Sequence, residues 1–256
     1  MAEPGQYLYC IIRCQQERTF DEVGMGGDGS PVHTVCHKGL AAVVSDSSVK
    51  QYDSTRRNMM AHEKVLEMVM RDFTLLPVRF GTVADSSSPA QKIQKLLSSR
   101  FEEFQRLLDE MEGKVELGLK AFWRDEKAVF EEIVTENADV RRLRKSLSGK
   151  PPEAIRFEGI PLGRMVKEAL ERKRSQEAAR ILSPLRPIAC RLRENATLLD
   201  RIIVNAAFLV DKGREQNFDQ ATRRLDEELG KRIAFKYVGP VPAYNFVNIV
   251  VNWQEL

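Results

Sequence analysis

The sequence has few of the residues that disulfide-stabilised and metal-binding proteins use. Its 256 residues include only four cysteines and three histidines. Scattered cysteines do not make a disulfide framework, and we expect them to be reduced and buried. His33, Cys36 and His37 lie close in sequence, but they alternate along a predicted strand and lack a fourth ligand for zinc. His62 falls on an apolar helix face and is expected to be a hydrogen-bonded core histidine. We therefore expect neither a metal nor a cofactor.

Long apolar runs and a strong net charge are also missing. No stretch approaches the roughly 18 apolar residues of a membrane-spanning helix, and the N-terminus has no basic and apolar leader pattern. Forty basic and 37 acidic residues give a net charge of +3, too small to indicate nucleic acid or anionic lipid as a partner. The expectation is a cytoplasmic protein that binds neither nucleic acid nor membrane.

Motifs of the common enzyme classes are absent as well. The sequence has no nucleophile elbow, metalloprotease helix, dinucleotide fingerprint or kinase signature. Residues 21–31 are glycine-rich and predict a loop, but the tract lacks the Lys-Ser/Thr of a phosphate loop and opens no helix. We expect no enzymatic activity.

The chain contains instead a short apolar stretch at residues 75–83, which predicts a strand at the boundary of a sheet because Pro77 cannot donate to a ladder. Arg79 is its only charge. Its stem either packs along the sheet with a solvated head or forms an anion site. Residues 53–73 predict an amphipathic helix with Met59 and His62 on its inward face. After the stretch, Ser88 is expected to cap a helix whose apolar stripe runs to Gly113.

Period-two and helical patterns account for most of the remaining chain. Strands are predicted at residues 7–13, 33–37, 40–45, 114–123, 201–211 and from 233 to 239, with a tight hairpin at Lys38-Gly39. Helices are predicted at residues 125–135, over a charged region at 162–195 broken by Pro184 and Pro187, and after Asn217 as a cap, with a stop at Gly230. The basic run around Arg141 to Lys145 indicates either a solvated helix end or a docking patch for an acidic partner.

These elements predict an α+β fold with two domains, each a ferredoxin-like or modified ferredoxin-like α/β sandwich, followed by an extended C-terminal tail. The expected boundaries are 1–112 for a modified ferredoxin-like domain, 113–242 for a ferredoxin-like domain with a long helical insertion, and 243–256 for the tail. The tail is apolar and extended, and it forms either a tail strand or a lid.

Three stretches together resemble the gas vesicle protein F/L family in order and spacing. They are Leu76-Pro77-Val78-Arg79-Phe80-Gly81-Thr82-Val83, Asn205-Ala206-Ala207-Phe208-Leu209-Val210 and Gly239-Pro240-Val241-Pro242-Ala243-Tyr244-Asn245-Phe246. The opening Tyr7-Leu8-Tyr9 and the helix with His62 also fit. The sequence departs from the family pattern at Val241, where tryptophan is common, at Ala243, where a second proline is common, and at Cys10, where glycine is common.

The resemblance implies an accessory or minor structural protein of gas vesicle assembly, located at the gas vesicle within the cytoplasm. It would bind the small hydrophobic major shell protein and other gas vesicle accessory proteins, without catalysis. Candidate partner-binding residues are Arg79, Tyr244, Phe246 and Trp253.

Two roles for the tail stay open. The apolar residues 246–253 either pair with a partner or complete the core of their own domain. If the tail captures a partner, deleting residues 244–256 should abolish binding of the shell protein and leave a folded chain. The alternative function is a small-ligand or regulatory binding module on the same fold, because a fold does not fix a function.

Overall fold

The computed structural model describes residues 4–25, 29–84, 88–197 and 199–254. The chain forms two compact units, one of residues 1–116 together with 239–256, and the other of residues 117–238. The C-terminal residues thus belong to the same unit as the N-terminal half. Within the described ranges, no helix combines the length and apolarity needed to cross a membrane.

The first unit is built on an antiparallel sheet. Its strands are β1 (Gly5–Arg13), β2 (Thr19–Val23), β3 (Pro31–His37), β4 (Leu40–Ser47), β5 (Leu75–Pro77) and β6 (Val83–Ala84). The order is β2-β3-β4-β1-β5, and β6 also pairs with β1. Every residue of β1 before Arg13 is buried, as expected for an interior strand of apolar side chains. The predicted hairpin is confirmed, because His37 pairs with Leu40 and the two turn residues have positive φ angles.

Three helices complete the first unit, namely α1 (Arg56–Met70), α2 (Pro89–Ser99) and α3 (Phe101–Met111). Helix α1 begins where the Thr55 side chain accepts a hydrogen bond from the Asn58 amide. It buries Val65, Leu66 and Val69 against the β1–β4 core. Apolar residues at helical spacing therefore attach α1 to the sheet.

Several predictions for the first unit are wrong in detail. Residues 75–83 do not form one strand, because the chain turns at Gly81, where φ is +82°. The short β5 is an edge strand, as predicted. Ser88 makes no capping hydrogen bond, and the predicted single stripe is broken at Arg100 into α2 and α3. Met59 is 49% exposed rather than inward.

The glycine-rich tract is only partly a loop. Residues 21–23 belong to β2, which pairs with β3. Residues 26–28 lie in the middle of this tract, which lacks the phosphate-loop pattern, and they are outside the described residues.

The second unit contains the other sheet and four helices. Its elements are β7 (Lys114–Trp123), α4 (Glu126–Glu136), α5 (Ala138–Leu147), α6 (Pro152–Leu182), β8 (Arg191–Glu194), β9 (Ile202–Asp211), α7 (Glu215–Leu229) and β10 (Ile233–Val241), with the ends of β7 and β10 shared with the first unit. The sheet order is β10-β7-β9-β8, so β9 is an interior strand, as its two apolar faces predicted.

Three expectations for this unit are corrected. Helix α6 begins at Pro152 and continues through Pro161, and the predicted helical region to 195 ends at Leu182 and is followed by the unpredicted strand β8. Asn217 lies inside α7, which follows a 3-10 turn at Lys212–Arg214, although the stop at Gly230 is confirmed. Cys10 and Cys14 are buried, but Cys190 is exposed.

Candidate functional site

Several hydrogen bonds fix the C-terminal segment, from residue 243 on, to the rest of the first unit, and one of them runs from Arg100 Nη1 to the Val250 carbonyl at 3.0 Å. The Glu116 carboxylate is buried and accepts from the Asn245 side-chain amide at 2.6 Å and from the Asn245 backbone amide at 2.8 Å. Farther along, the Ile249 carbonyl accepts from the Arg79 backbone amide at 3.2 Å, next to a parallel bridge between Val78 and Ile249. The bonds to the buried Glu116 carboxylate are charge-assisted and are the stronger of these contacts.

The turn after β5 is fixed by β1 and by its own residues. The Val78 amide donates to the Tyr9 carbonyl at 2.9 Å, and the Gly81 amide donates to the Tyr7 hydroxyl at 3.0 Å. The Thr82 hydroxyl donates to the Arg79 carbonyl at 2.7 Å. Because these bonds hold the backbone on both sides of Arg79, its side chain leaves a rigid turn.

A cavity of about 430 Å³ lies where α1, this turn and the C-terminal segment meet. Most of its lining residues are apolar, and the first and last of them, Met59 and Ile249, are 190 positions apart in the sequence. They are Met59, His62, Glu63, Pro77, Val78, Arg79, Phe80, Tyr244, Val247, Asn248 and Ile249. The cavity has the size and the apolar lining that are typical of binding sites.

A cluster of aromatic rings packs around His62. Tyr9 stacks on the imidazole with ring centroids 5.7 Å apart, and Phe80 meets it edge to face at the same distance. The Tyr7 hydroxyl hydrogen-bonds His62 Nδ1 at 3.0 Å, and the Tyr52 ring packs edge to face on Tyr7. The prediction of a hydrogen-bonded core histidine is confirmed.

The polar groups of the site carry little charge of their own. Burial lowers the pKa of His62 to about 4, which leaves the imidazole neutral at pH 7. Burial raises the pKa of the Tyr244 phenol, and the neighbouring Glu63 carboxylate raises it further. Burial also raises the pKa of Glu63, with a smaller contribution from Glu67. Arg79 is the exposed cation of the lining, and no ion pair joins it to any residue in the described ranges.

The structure brings together two of the four candidate residues. Arg79 and Tyr244 both line the cavity, whereas Phe246 and Trp253 are half-buried and are not among its lining residues. Sequence reasoning missed Met59 and Glu63 as site residues. The signal available for Met59 is its place on the apolar stripe of α1. A stripe of this kind predicts core residues and does not distinguish them from residues that line a cavity.

The lining offers mainly apolar contact surface and few charged groups. No group of three or more His, Cys, Asp or Glu residues in the described part of the chain could hold a metal ion. The lining pairs apolar side chains with one cation and one carboxyl group whose charged form is disfavoured. These features define a class of α+β protein with an apolar binding cavity.

Comparison with known proteins gives the family. The model of the family described as "Gas vesicle synthesis protein GvpL/GvpF" matches residues 5–248. Gas vesicle protein F of a Nostoc species is 28% identical over 96% of this chain and 98% of its own length. Gas vesicle protein F1 of Halobacterium salinarum is 26% identical over 97% of this chain and 95% of its own length.

Solved structures agree with this match. The crystal structure of GvpF from an Anabaena species superimposes with a TM-score of 0.82 at 28% identity, over 97% of this chain and all of the other. That of GvpF from Microcystis aeruginosa gives a TM-score of 0.75 at 27% identity over 94% of this chain and 98% of the other.

The chain belongs to the GvpL/GvpF family of gas vesicle synthesis proteins, and the predicted resemblance is confirmed. This membership supports a role in gas vesicle assembly. The names of these relatives refer to gas vesicles and to no catalysed reaction.

Proposed function

We propose that this chain assists gas vesicle assembly by holding an apolar segment of the small major shell protein in the cavity beside α1. The observation that carries the proposal is the cavity itself, with its apolar lining in a chain of this family. A shell subunit with a gas-facing side must keep apolar surface away from water before assembly, and exposed apolar patches otherwise aggregate. Other accessory proteins are additional proposed partners, and the proposed location is the gas vesicle within the cytoplasm.

Apolar side chains at the entrance support this role. Met59 is 49% exposed and Tyr244 is 38% exposed, and both line the cavity. Methionine adapts its shape to different partners, and a partly exposed tyrosine combines an apolar ring with a polar end. We propose that Met59 and Tyr244 are the anchoring contacts, and that Arg79 engages a carboxylate or backbone carbonyl of the bound segment. Phe246 and Trp253 remain weaker candidates.

The sharpest test compares two neighbouring methionines. Met60 is more exposed than Met59 but is not part of the lining, so it provides a matched control on the same helix. Met59→Asp is expected to weaken binding of purified shell protein at least about tenfold, since a charge in an apolar contact costs more than about 1.4 kcal/mol. Met60→Asp should leave binding unchanged. Equal affinities for both variants and the native chain would reject the cavity as the binding site.

Deleting the whole tail is a poorer test of shell-protein binding than point variants, because the deletion also removes core residues. Val247 and Ile249 are 4% and 1% exposed, so removing residues 244–256 would take two core residues out of the first unit. A loss of binding by the deleted chain would then report unfolding as well as a missing contact.

A small-ligand or regulatory module is the second candidate function. A volume of about 430 Å³ is large enough for one small apolar molecule. Native mass spectrometry of the purified chain distinguishes the two functions. A bound small molecule that Met59→Asp releases would favour the ligand function, whereas an unliganded chain that binds shell protein would favour assembly.

We also propose that both units are variants of the ferredoxin-like fold. The strand order β10-β7-β9-β8 supports this for the second unit, because its first and third strands are central and its last strand lies beside the first. The first unit would be a modified form, with a hairpin early in the chain. The proposed bounds of the two sandwiches are 1–112 and 113–242, and residues 243–256 are a tail that belongs to the first compact unit.

A further inference from the structure

The long helix α6 in the second unit presents an exposed face that the proposed function does not use. Residues 138–182 contain twelve Lys and Arg against six Asp and Glu, whereas the whole chain is nearly balanced. Basic residues on α5 occupy its last turn, where they complement the helix dipole and have a structural explanation. In the first half of α6, Arg164 pairs with Glu168, whereas Arg156 and Lys167 have no such explanation.

Four of the α6 side chains and one glycine fall on one face of the helix. Arg156, Ile160, Gly163, Lys167 and Arg174 are separated by 4, 3, 4 and 7 residues, which are the spacings of a single helical stripe. The stripe spans about 27 Å at about 1.5 Å per residue. We call these five residues the α6 stripe.

The middle of the α6 stripe is apolar and open. Ile160 is 67% exposed, and an added Cβ at Gly163 would meet no atom within 4 Å. The Ile160 side chain therefore protrudes beside the empty position at Gly163, and a second helix can approach the α6 backbone closely at Gly163.

The ends of the α6 stripe are cationic. Arg156 and Lys167 are exposed and Arg174 is half-buried. No carboxylate in the described part of the chain lies within ion-pair distance of any of the three. These positive charges are therefore available to a negatively charged partner.

The same helix face is buried farther along. Leu170 and Ile181 follow Gly163 at helical spacing and are 7% and 0% exposed. Gly163 continues the line of Leu170 and Ile181 toward the N-terminus and is exposed, and Ile160, which is 67% exposed, lies beside that line. This continuity indicates that the first half of the face is suited to packing against another apolar surface.

We propose that the α6 stripe is a docking surface for an acidic amphipathic helix of a partner protein. Apolar side chains of the partner would pack on Ile160 and over Gly163, while its carboxylates would pair with Arg156, Lys167 and Arg174. A nucleic acid fits less well for two reasons. Three cations over about 27 Å neutralise few phosphates, and a phosphate backbone offers no apolar surface to Ile160.

The test uses a fluorescently labelled synthetic helical peptide of about 20 residues, with glutamate on one side of a leucine stripe. Polarisation should show binding by the native chain that weakens as salt increases. A peptide with lysine in place of each glutamate should not bind. Failure of the acidic peptide to bind, or equal binding of both peptides, would overturn the proposal.

Two variants separate docking from folding. Arg156→Glu/Lys167→Glu should weaken peptide binding at least tenfold, and the matched double reversal Arg223→Glu/Arg224→Glu on α7 should not. Gly163→Leu should also weaken binding at least tenfold while it raises or preserves the melting temperature, because leucine favours a helix more than glycine does.

Two results would contradict this account. One is unchanged peptide affinity in Gly163→Leu and in the α6 double variant. The other is duplex DNA that binds the native chain more tightly than the peptide and loses affinity in the same variants. Because the test involves no shell protein and no residue of the cavity, its failure would not affect the proposed function.

Discussion

His62 shows how strongly burial in the first unit changes the pKa of a polar side chain. His62 is 5% exposed, lies between Tyr9 and Phe80, and shares a hydrogen bond with the Tyr7 hydroxyl. Burial lowers its pKa from the ordinary 6.5 to about 4. The imidazole therefore serves as a neutral hydrogen-bonding group in the wall of the cavity.

The lowered pKa predicts a loss of stability in mild acid. Above pH 6.5 His62 is mostly neutral in both the folded and the unfolded chain, so it contributes little to the pH dependence of the free energy of unfolding. Between pH 6.5 and about 4 only the unfolded chain takes up the proton, so the free energy of unfolding should fall by up to about 3 kcal/mol. Denaturant titrations of the native chain and His62→Gln at pH 7 and pH 4.5 measure the difference. The same acid sensitivity in both chains would show that His62 is not responsible.

The Tyr7 hydroxyl is predicted to stabilise the turn that carries Arg79. Tyr7→Phe leaves His62 Nδ1 and the Gly81 amide without their shared partner, and the free energy of unfolding should fall by about 1–3 kcal/mol. Tyr244→Phe is the matched control, since the Tyr244 hydroxyl has no hydrogen bond to any described residue, and it should change stability by less than about 0.5 kcal/mol. Equal losses in the two variants would contradict the assigned role of Tyr7.

Among the elements, the C-terminal segment determines whether the cavity exists. It supplies Tyr244, Val247, Asn248 and Ile249 to the lining, yet it has little regular secondary structure. The buried Glu116 carboxylate fixes it by accepting two hydrogen bonds from Asn245. A segment without a ladder of its own depends on such individual contacts.

Removing that carboxylate should release the segment. Glu116→Ala removes the acceptor of two Asn245 donors. We expect the free energy of unfolding to fall by about 2–3 kcal/mol and hydrogen exchange at the Asn245 amide to become faster. The exposed Glu112 has only a 3.9 Å contact with Arg13, so Glu112→Ala should cost less than about 0.5 kcal/mol. Unchanged exchange at Asn245 in Glu116→Ala would refute the proposed anchoring.

The elements that could be predicted from the sequence are those that are buried and therefore have a regular period of apolar residues. β7 and β9 have regular apolar patterns because they are interior strands, and they were predicted close to their observed bounds. β8 (Arg191–Glu194) is a mostly exposed edge strand in which three of the four residues are charged, so a single leucine gives no apolar period to signal it. Arg100 breaks a helix whose apolar stripe continues on both sides, so the stripe alone did not show the break.

The cavity was less accessible to sequence reasoning than the fold. Arg79 and Tyr244 were identified through family motifs, but nothing local shows that they face the same space. Their proximity depends on the Arg79 to Ile249 backbone bond and on the placement of residues 239–256 in the first unit. Contacts between residues so distant in sequence leave no periodic pattern to read.

At the scale of the whole molecule, the two units offer separate surfaces. The first contains the apolar cavity, and the second contains the α6 stripe, which is exposed and cationic at its ends. The two surfaces differ in chemistry, and the two proposed partners, an apolar shell segment and an acidic amphipathic helix, differ in the same way. The family match covers residues 5–248 and so includes both surfaces.

Site-specific photocrosslinking during gas vesicle assembly tests the central claim most directly. A photoreactive phenylalanine analogue replaces Tyr244 in one variant and Leu199, an exposed side chain of the second unit, in a matched control. We predict a covalent adduct with the major shell protein from position 244 and none from position 199. No shell-protein adduct from position 244, or equal adducts from both positions, would contradict the account.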